Sequence, residues 1–306
     1  MTSVDRRSFL KWSLSLGAAA MTPATFGQTA ASASLSRGGD MAFGLVTYQW
    51  GQSWDLPTLI RNCAAAEVLG VELRTTHAHG VEPGLSAEQR RQVKAHFADS
   101  PVQLVGLGSN ERFDHPRPEA LAEAIETTKE FIRLSHDVGG TGVKVKPNDL
   151  PKGVEPAKTI AQIGKSLNTV GAFGADYGQQ IRLEVHGQCA RLPIIKQILD
   201  VADHPNVFVC WNSNQQDLLD EGLTHNFNLV KDRFGATAHV RPLDTPGYPW
   251  QDLMALFVKM DYAGWLLLEA GGSPPGDPVE AMARQRKMFE DLVSAARKEI
   301  DHRPKR

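Results

Sequence analysis

The sequence predicts an α/β fold, a closed (β/α)8 barrel in a single domain. Three observations lead there. From Met41 onward, short apolar runs alternate with longer amphipathic stretches, the pattern of parallel strands joined by helical crossovers. The strand-plus-helix units number eight, whereas an open doubly wound sheet more often stops at about five or six strands. Finally, Glu184, Asn212, His239 and Glu269 end four successive apolar runs at separations of 28, 27 and 30 residues. One unit of such a barrel occupies roughly 31 residues, so the four side chains recur at the same point of consecutive units.

In chain order, AFGLVTY at 42–48 reads as the first strand and 55–68 as its helix. GVELRT at 70–75 precedes a helix at 86–98, and VQLVGL at 102–107 precedes one at 117–137. GVKVK at 142–146 is the fourth strand, followed by a helix at 155–173. Gly139, Gly140 and Gly142 end a helix and precede a strand, the reverse of a phosphate-cradling loop, so they read as a helix C-cap. The second half continues with strands at 180–185, 206–211, 236–241 and 264–269, and helices at 190–202, 215–233, 250–260 and 278–299. SPPGDP at 273–278 reads as the loop leaving the eighth strand, with Asp277-Pro278 opening the last helix. Residues 301–306 are a polar tail, and the barrel is placed at 41–300.

The first 33 residues belong to export. DRRSFLK carries paired Arg6 and Arg7, an apolar stretch from Trp12 to Met21 follows, and Ala31-Ser32-Ala33 offers a small-residue cleavage site. This resembles a twin-arginine signal, which implies a folded passenger and a periplasmic mature protein. The apolar run is too short to span a membrane comfortably, and no other stretch would anchor the mature chain.

Composition narrows the partners. With 42% hydrophobic and 22% charged residues, the 306-residue chain is an ordinary globular protein with one large core. The formal charge of -2 becomes -4 once residues 1–33 are removed, so no broad basic field invites nucleic acid. A small-molecule ligand fits better, and a homo-oligomer is left open. Cys63, Cys189 and Cys210 have no metal-binding spacing and read as buried free thiols.

The chemistry concentrates at the strand ends. In a parallel barrel all C-terminal strand ends open on one face, so Glu184, Asn212, His239 and Glu269 converge there. Two carboxylates, an imidazole and an amide oxygen suit one divalent cation, Mn2+ foremost, with Mg2+ or Co2+ as alternatives. His186 lies two residues beyond Glu184 and shares its direction in an extended chain, either to polarise a hydroxyl or to brace the site. Lys146 and Arg241 end the fourth and seventh strands, where they would hold a substrate carbonyl or carboxylate, or else pair with Glu184 or Glu269. Arg74, His77 and His79 crowd the loop after the second strand and read as substrate contacts ahead of a second metal pair. Tyr48, Trp50 and Trp54 follow the first strand and offer apolar faces to sugar C–H groups.

The order Glu184, Asn212, His239, Glu269 on strands five to eight, with His186-Gly187 soon after the first, resembles the xylose isomerase-like TIM-barrel superfamily of sugar isomerases and epimerases. The resemblance covers about residues 41–300. It implies that the four residues hold one divalent ion against a small carbohydrate, with Glu184 and Glu269 as paired proton-transfer groups. Three departures stand out: Asn212 replaces the usual aspartate, Gln215 stands where a histidine often follows three residues later, and Arg241-Pro242 replaces a common Lys-Asp after the strand-seven histidine. The superfamily also includes apurinic endonucleases with His-rich multi-metal sites on basic surfaces, which the acidic mature chain and sparse ligand set do not match. The implied function is an exported, divalent-metal-dependent sugar isomerase or epimerase that acts on an unphosphorylated carbohydrate by proton transfer next to a carbonyl. The alternatives are a carbon-oxygen lyase or dehydratase on an oxidised sugar or cyclitol, and a catalytically silent carbohydrate-binding barrel.

Overall fold

The computed structural model describes residues 41–301, so the expected signal peptide and its cleavage site, and tail residues 302–306, lie outside the described residues. The strands are β1 (Ala42–Val46), β2 (Gly70–Arg74), β3 (Gln103–Arg112), β4 (Gly142–Lys146), β5 (Gln180–Glu184), β6 (Val207–Cys210), β7 (Thr237–Val240) and β8 (Trp265–Leu268). The helices that follow them in turn are α1 (Leu56–Ala65), α2 (Ala87–Ala98), α3 (Pro118–Val138), α4 (Pro156–Asp176), α5 (Leu192–Val201), α6 (Gly222–Val230), α7 (Trp250–Lys259) and α8 (Pro278–Asp301). Each expected unit is therefore present. The expected helix at 215–233 is divided into a 3-10 turn, α6 and a second 3-10 turn, with Asp220 and Gly222 at positive φ between the first turn and the helix.

All strands pair in parallel, in the order β6-β5-β4-β3-β2-β1-β8-β7. The ring closes between β6 and β7 through two isolated bridges, Val209 with Phe234 and Asn212 with His239. The second bridge sets two of the expected ligands side by side. Trp211, Phe227, Phe234, Phe257 and Tyr262 form an aromatic cluster behind this seam, with ring centroids 5.0 to 6.2 Å apart. Apolar packing thus covers the part of the ring where ladder hydrogen bonds are fewest.

The main core fills the space between strands and helices. Inside the barrel, Val46, Val105 and Leu267 form a small separate cluster against Tyr48 and Trp265. Period-two alternation turns Glu72 with Arg74, Lys144 with Lys146, and Arg182 with Glu184 toward the interior. Arg182 is fully buried and donates to Gln180 Oε1 at 3.0 Å, Val105 O at 2.9 Å and Thr141 Oγ1 at 2.7 Å. A Cβ on Gly106 would lie 2.8 Å from its Nη1, and one on Gly142 would lie 2.9 Å from its Cζ. Gly142 therefore makes room for an internal guanidinium and is not part of the helix cap. Gly139 does cap α3, with φ of 89° and its N–H donating to His136 O.

Asp277 caps α8 as expected, accepting from Val279 N at 2.9 Å and Glu280 N at 3.0 Å. The three cysteines are free and buried, and burial pushes the Cys63 thiol up to about 12. Among the described residues no helix is long and apolar enough to cross a membrane.

Candidate active site

Glu184 is the last residue of β5, Asn212 follows β6, His239 lies in β7 and Glu269 follows β8. The barrel brings all four together at its C-terminal mouth. His239 Nδ1 lies 3.4 Å from Glu184 Oε1 and 3.7 Å from Glu269 Oε2. Asn212 Nδ2 donates to the same two carboxylate oxygens, at 2.9 Å in each case. One ligand atom from each of Glu184, His239 and Glu269 can be chosen so that all lie within 4.8 Å of one another.

The donor set fits a divalent ion. His239 Nδ1 is buried without a hydrogen bond, between two carboxylate oxygens, an arrangement that suits a neutral imidazole presenting its lone pair to a cation. Asn212 turns its NH2 toward the carboxylates, and a half-turn about Cβ–Cγ exchanges NH2 for oxygen and completes the four-residue set.

Two charged residues beneath this set escaped the sequence reading. Lys144 Nζ donates to Glu184 Oε2 at 2.7 Å, with both side chains 1% exposed. Glu72 Oε1 lies 3.3 Å from His239 Nε2 on the far side of the ring. Burial alone would raise the Glu184 carboxyl; the Lys144 ammonium and the His239 ring override it and hold that group well below the usual carboxylate range. Burial and the Glu184 charge likewise press Glu269 upward, while His239 and Lys144 bring its net shift below the ordinary value. In the metal-free protein His239 is raised well above an ordinary histidine: burial opposes its charge, and the facing Cys210 and Glu72 outweigh burial. A cation at Nδ1 would have to displace that proton.

The mouth forms a cleft of about 450 Å3, lined by Glu184, Asn212 and Glu269 together with Arg74, Lys146, His186 and Arg241, among others. Tyr48 and Asn214 also line it. His186 Nδ1 lies 3.1 Å from Asn148 Oδ1, and burial lowers its proton affinity. Burial and the neighbouring Lys144 charge bring the Lys146 amine down to about 8.

Four residues expected to touch substrate, His77, His79, Trp50 and Trp54, do not line this cleft. His79 is buried, with Nε2 at 2.8 Å from Arg74 O and Nδ1 accepting from Val81 N at 3.0 Å, so both ring nitrogens brace the loop. His77 Nδ1 faces Thr47 Oγ1 at 3.3 Å, and burial with the nearby His79 and Arg74 charges lowers its pKa to about 4. Trp50 is 5% exposed and lines a neighbouring depression with Trp54 and Pro274. The loop after β2 folds back on itself, and spacing alone does not reveal that.

A family model described as xylose isomerase-like TIM barrel matches residues 60–292, and one for the twin-arginine translocation signal matches residues 3–23. No curated protein gives a significant sequence match. Among solved structures, L-ribulose 3-epimerase superposes with a TM-score of 0.72 at 13% identity, covering 86% of this chain and 100% of its own. The 3-keto-D-glucoside 4-epimerase of E. coli gives 0.69 at 13% identity, with 82% and 99% covered. A D-psicose 3-epimerase structure in the presence of D-fructose gives 0.67 at 14% identity, with 84% and 99% covered. At these identities the likeness establishes the fold.

Proposed function

The chain belongs to the xylose isomerase-like TIM-barrel family, and on that premise we propose that its mouth cleft is the active site of a divalent-metal-dependent sugar isomerase or epimerase. The observation that carries this reading is the meeting of two carboxylates around His239 Nδ1 at the open end of the barrel. Sugar epimerases among the structurally similar proteins support it.

Glu184, Asn212, His239 and Glu269 would hold the ion, with Mn2+ the best match to an oxygen-rich set containing one imidazole and Mg2+ or Co2+ as alternatives. When bound, such an ion polarises a sugar carbonyl and acidifies the neighbouring C–H. Glu269, whose side chain is 16% exposed and lines the cleft, is the better-placed base for that proton. Glu184 has one oxygen occupied by Lys144 and lines the cleft as well, so it serves as the opposing acid/base group. Returning the proton to the opposite face inverts the carbon, and returning it to the adjacent carbon moves the carbonyl. His186 lines the same cleft and orients a substrate hydroxyl, while Asn214 donates its amide to Val185 O and Asn212 O.

The test is to incubate metal-loaded protein with a carbohydrate panel in D2O and follow deuterium uptake and products by NMR and mass spectrometry. Exchange at one carbon with an epimer or positional isomer as product is expected. Loss of water would move the assignment to a lyase, and tight sugar binding without any exchange would leave a carbohydrate-binding barrel.

The twin-arginine signal indicates export by that pathway. We further propose that the mature protein works in the periplasm, beginning between Ala31 and Ser34. Export after folding lets the metal be selected in the cytoplasm, away from ions that bind most sites more tightly. Replacing Arg6 and Arg7 with lysine should retain the precursor in the cytoplasmic fraction. A processed periplasmic chain from that variant would contradict twin-arginine export.

A further inference from the structure

The half of the mouth facing the proton-transfer residues is cationic. Arg74 ends β2 and Lys146 ends β4, and Asn110 stands on β3 between them. Arg74 Nη2 donates to Asn110 Oδ1 at 3.3 Å, and Lys146 Nζ donates to the same oxygen at 3.2 Å. Two like charges thus share one neutral acceptor. Arg241 reaches the same cleft from the end of β7, and its Nε and Nη2 are buried without hydrogen-bond partners, as is Arg74 Nε. The Arg74 guanidinium lies 4.9 Å from the Tyr48 ring centroid and that of Arg241 lies 5.5 Å from Tyr248. Aromatic contact of this kind holds a guanidinium in place while leaving N–H groups available.

Among the described residues none of these three cations is engaged in an ion pair; the carboxylates at the site are turned toward Lys144, Asn212 and His239. Glu184 and Glu269 act on Lys146, and Asp217 on Arg241, without direct contact; clustered, partly desolvated cations lacking a direct partner remain costly, and a bound oxyanion offsets that cost through charge-assisted hydrogen bonds. A neutral sugar would leave the repulsion between Arg74 and Lys146 in place.

Building on the reading of this cleft as a sugar-isomerising site, we propose that its substrate is an acidic monosaccharide whose oxyanion is held by Arg74 and Lys146 while its reacting carbons lie over Glu184 and Glu269. The strand order supplies the polarity: β2 and β4 carry the anion-binding pair, and β5 to β8 carry the proton-transfer set. The oxyanion is a carboxylate, as in a uronic or aldonic acid. Burial and the Lys144 and Arg74 charges lower the proton affinity of Lys146 against the opposing pull of Glu184 and Glu269.

Calorimetric binding to the purified protein, with and without Mn2+, tests this directly. D-glucuronate and D-glucose 6-phosphate are compared with D-glucose, and D-gluconate with D-glucitol, at low and high salt. At least one acid is expected to bind about tenfold or more tightly than its neutral counterpart, with the gap narrowing as salt rises. Preference for the carboxylates supports the sugar acid, and preference confined to the phosphate overturns it in favour of a sugar phosphate. Arg74→Gln and Lys146→Met should each bring the acid-to-neutral affinity ratio toward one, with thermal melts confirming that the variants fold. The proposal fails if neutral sugars bind as tightly as the acids, if none of the acids binds, or if the ratio survives both substitutions. The wild-type comparison decides even if a variant does not fold. Deuterium exchange on neutral sugars without acid preference would overturn the anion site and spare the proton-transfer reading. Acid binding without exchange on any sugar would do the reverse.

Discussion

Glu269→Gln and Glu184→Gln are each expected to lower carbon-proton exchange by roughly a hundredfold to ten thousandfold, the range over which a positioned acid or base contributes. Glutamine keeps the shape of the side chain and an oxygen able to ligate, but it cannot accept a substrate proton at neutral pH. Glu269→Gln should therefore lose chemistry before it loses structure, whereas Glu184→Gln also strands the buried Lys144 ammonium and should cost stability as well. Asn212→Asp is the matched control. In the metal-free protein it replaces two donated hydrogen bonds with a third carboxylate beside Glu184 and Glu269, and so weakens the fold locally. In the metal-loaded protein the added negative charge favours the cation, so exchange should persist and metal affinity should rise. Exchange rate in D2O and metal affinity by competition titration, measured on all three variants, check the set. Undiminished exchange in either glutamine variant would remove that glutamate from proton transfer, and weaker metal binding in Asn212→Asp would remove Asn212 from the ligand set.

Lys144→Met is expected to destabilise the metal-free protein by about 3–5 kcal/mol at neutral pH, the usual cost of stranding one partner of a buried ion pair. The Glu184 carboxylate would remain fully buried after losing its 2.7 Å partner. In the wild-type protein Glu184 is depressed below its ordinary value, so its contribution is present at neutral pH and is lost as pH falls through the folded value. Without Lys144, burial acts on that carboxyl with less opposition and the group moves upward. The penalty should then shrink as pH is lowered and the carboxyl protonates. Urea unfolding of chelator-treated protein at neutral and mildly acidic pH measures both effects. A loss below about 1 kcal/mol, or a penalty that grows on acidification, would show that the Lys144–Glu184 pair does not hold the barrel interior together in this way.

The strands, the helices and the four converging residues were legible because they depend on short-range regularities. A parallel strand is a brief apolar run, its helix is an amphipathic one, and the unit length returns each strand to the same height in the barrel. Glu184, Asn212, His239 and Glu269 needed only that rule. Glu72, Lys144 and Arg182 carried a fainter signal, a charge two residues before another charge or ligand on an apolar strand, which period-two alternation turns inward.

What only the tertiary structure decided was which side chains meet. Lys144 and Glu184 come from neighbouring strands, Glu184 lying two residues beyond Arg182, the register partner of Lys144; Arg74 and Lys146 meet through an asparagine on the strand between them, and Asn212 bridges two carboxylates from different strands. Both His79 ring nitrogens bond to backbone at the two ends of its own loop and His77 Nδ1 faces Thr47, although the loop's sequence resembled a ligand pair. Sequence periodicity fixes the face on which a residue stands, but hydrogen-bond partners depend on side chains brought together from distant parts of the chain. For this protein the sequence by itself determined the barrel and the mouth where four polar side chains converge; the closed ring decided how charge is paired there and which cations stay outside ion pairs.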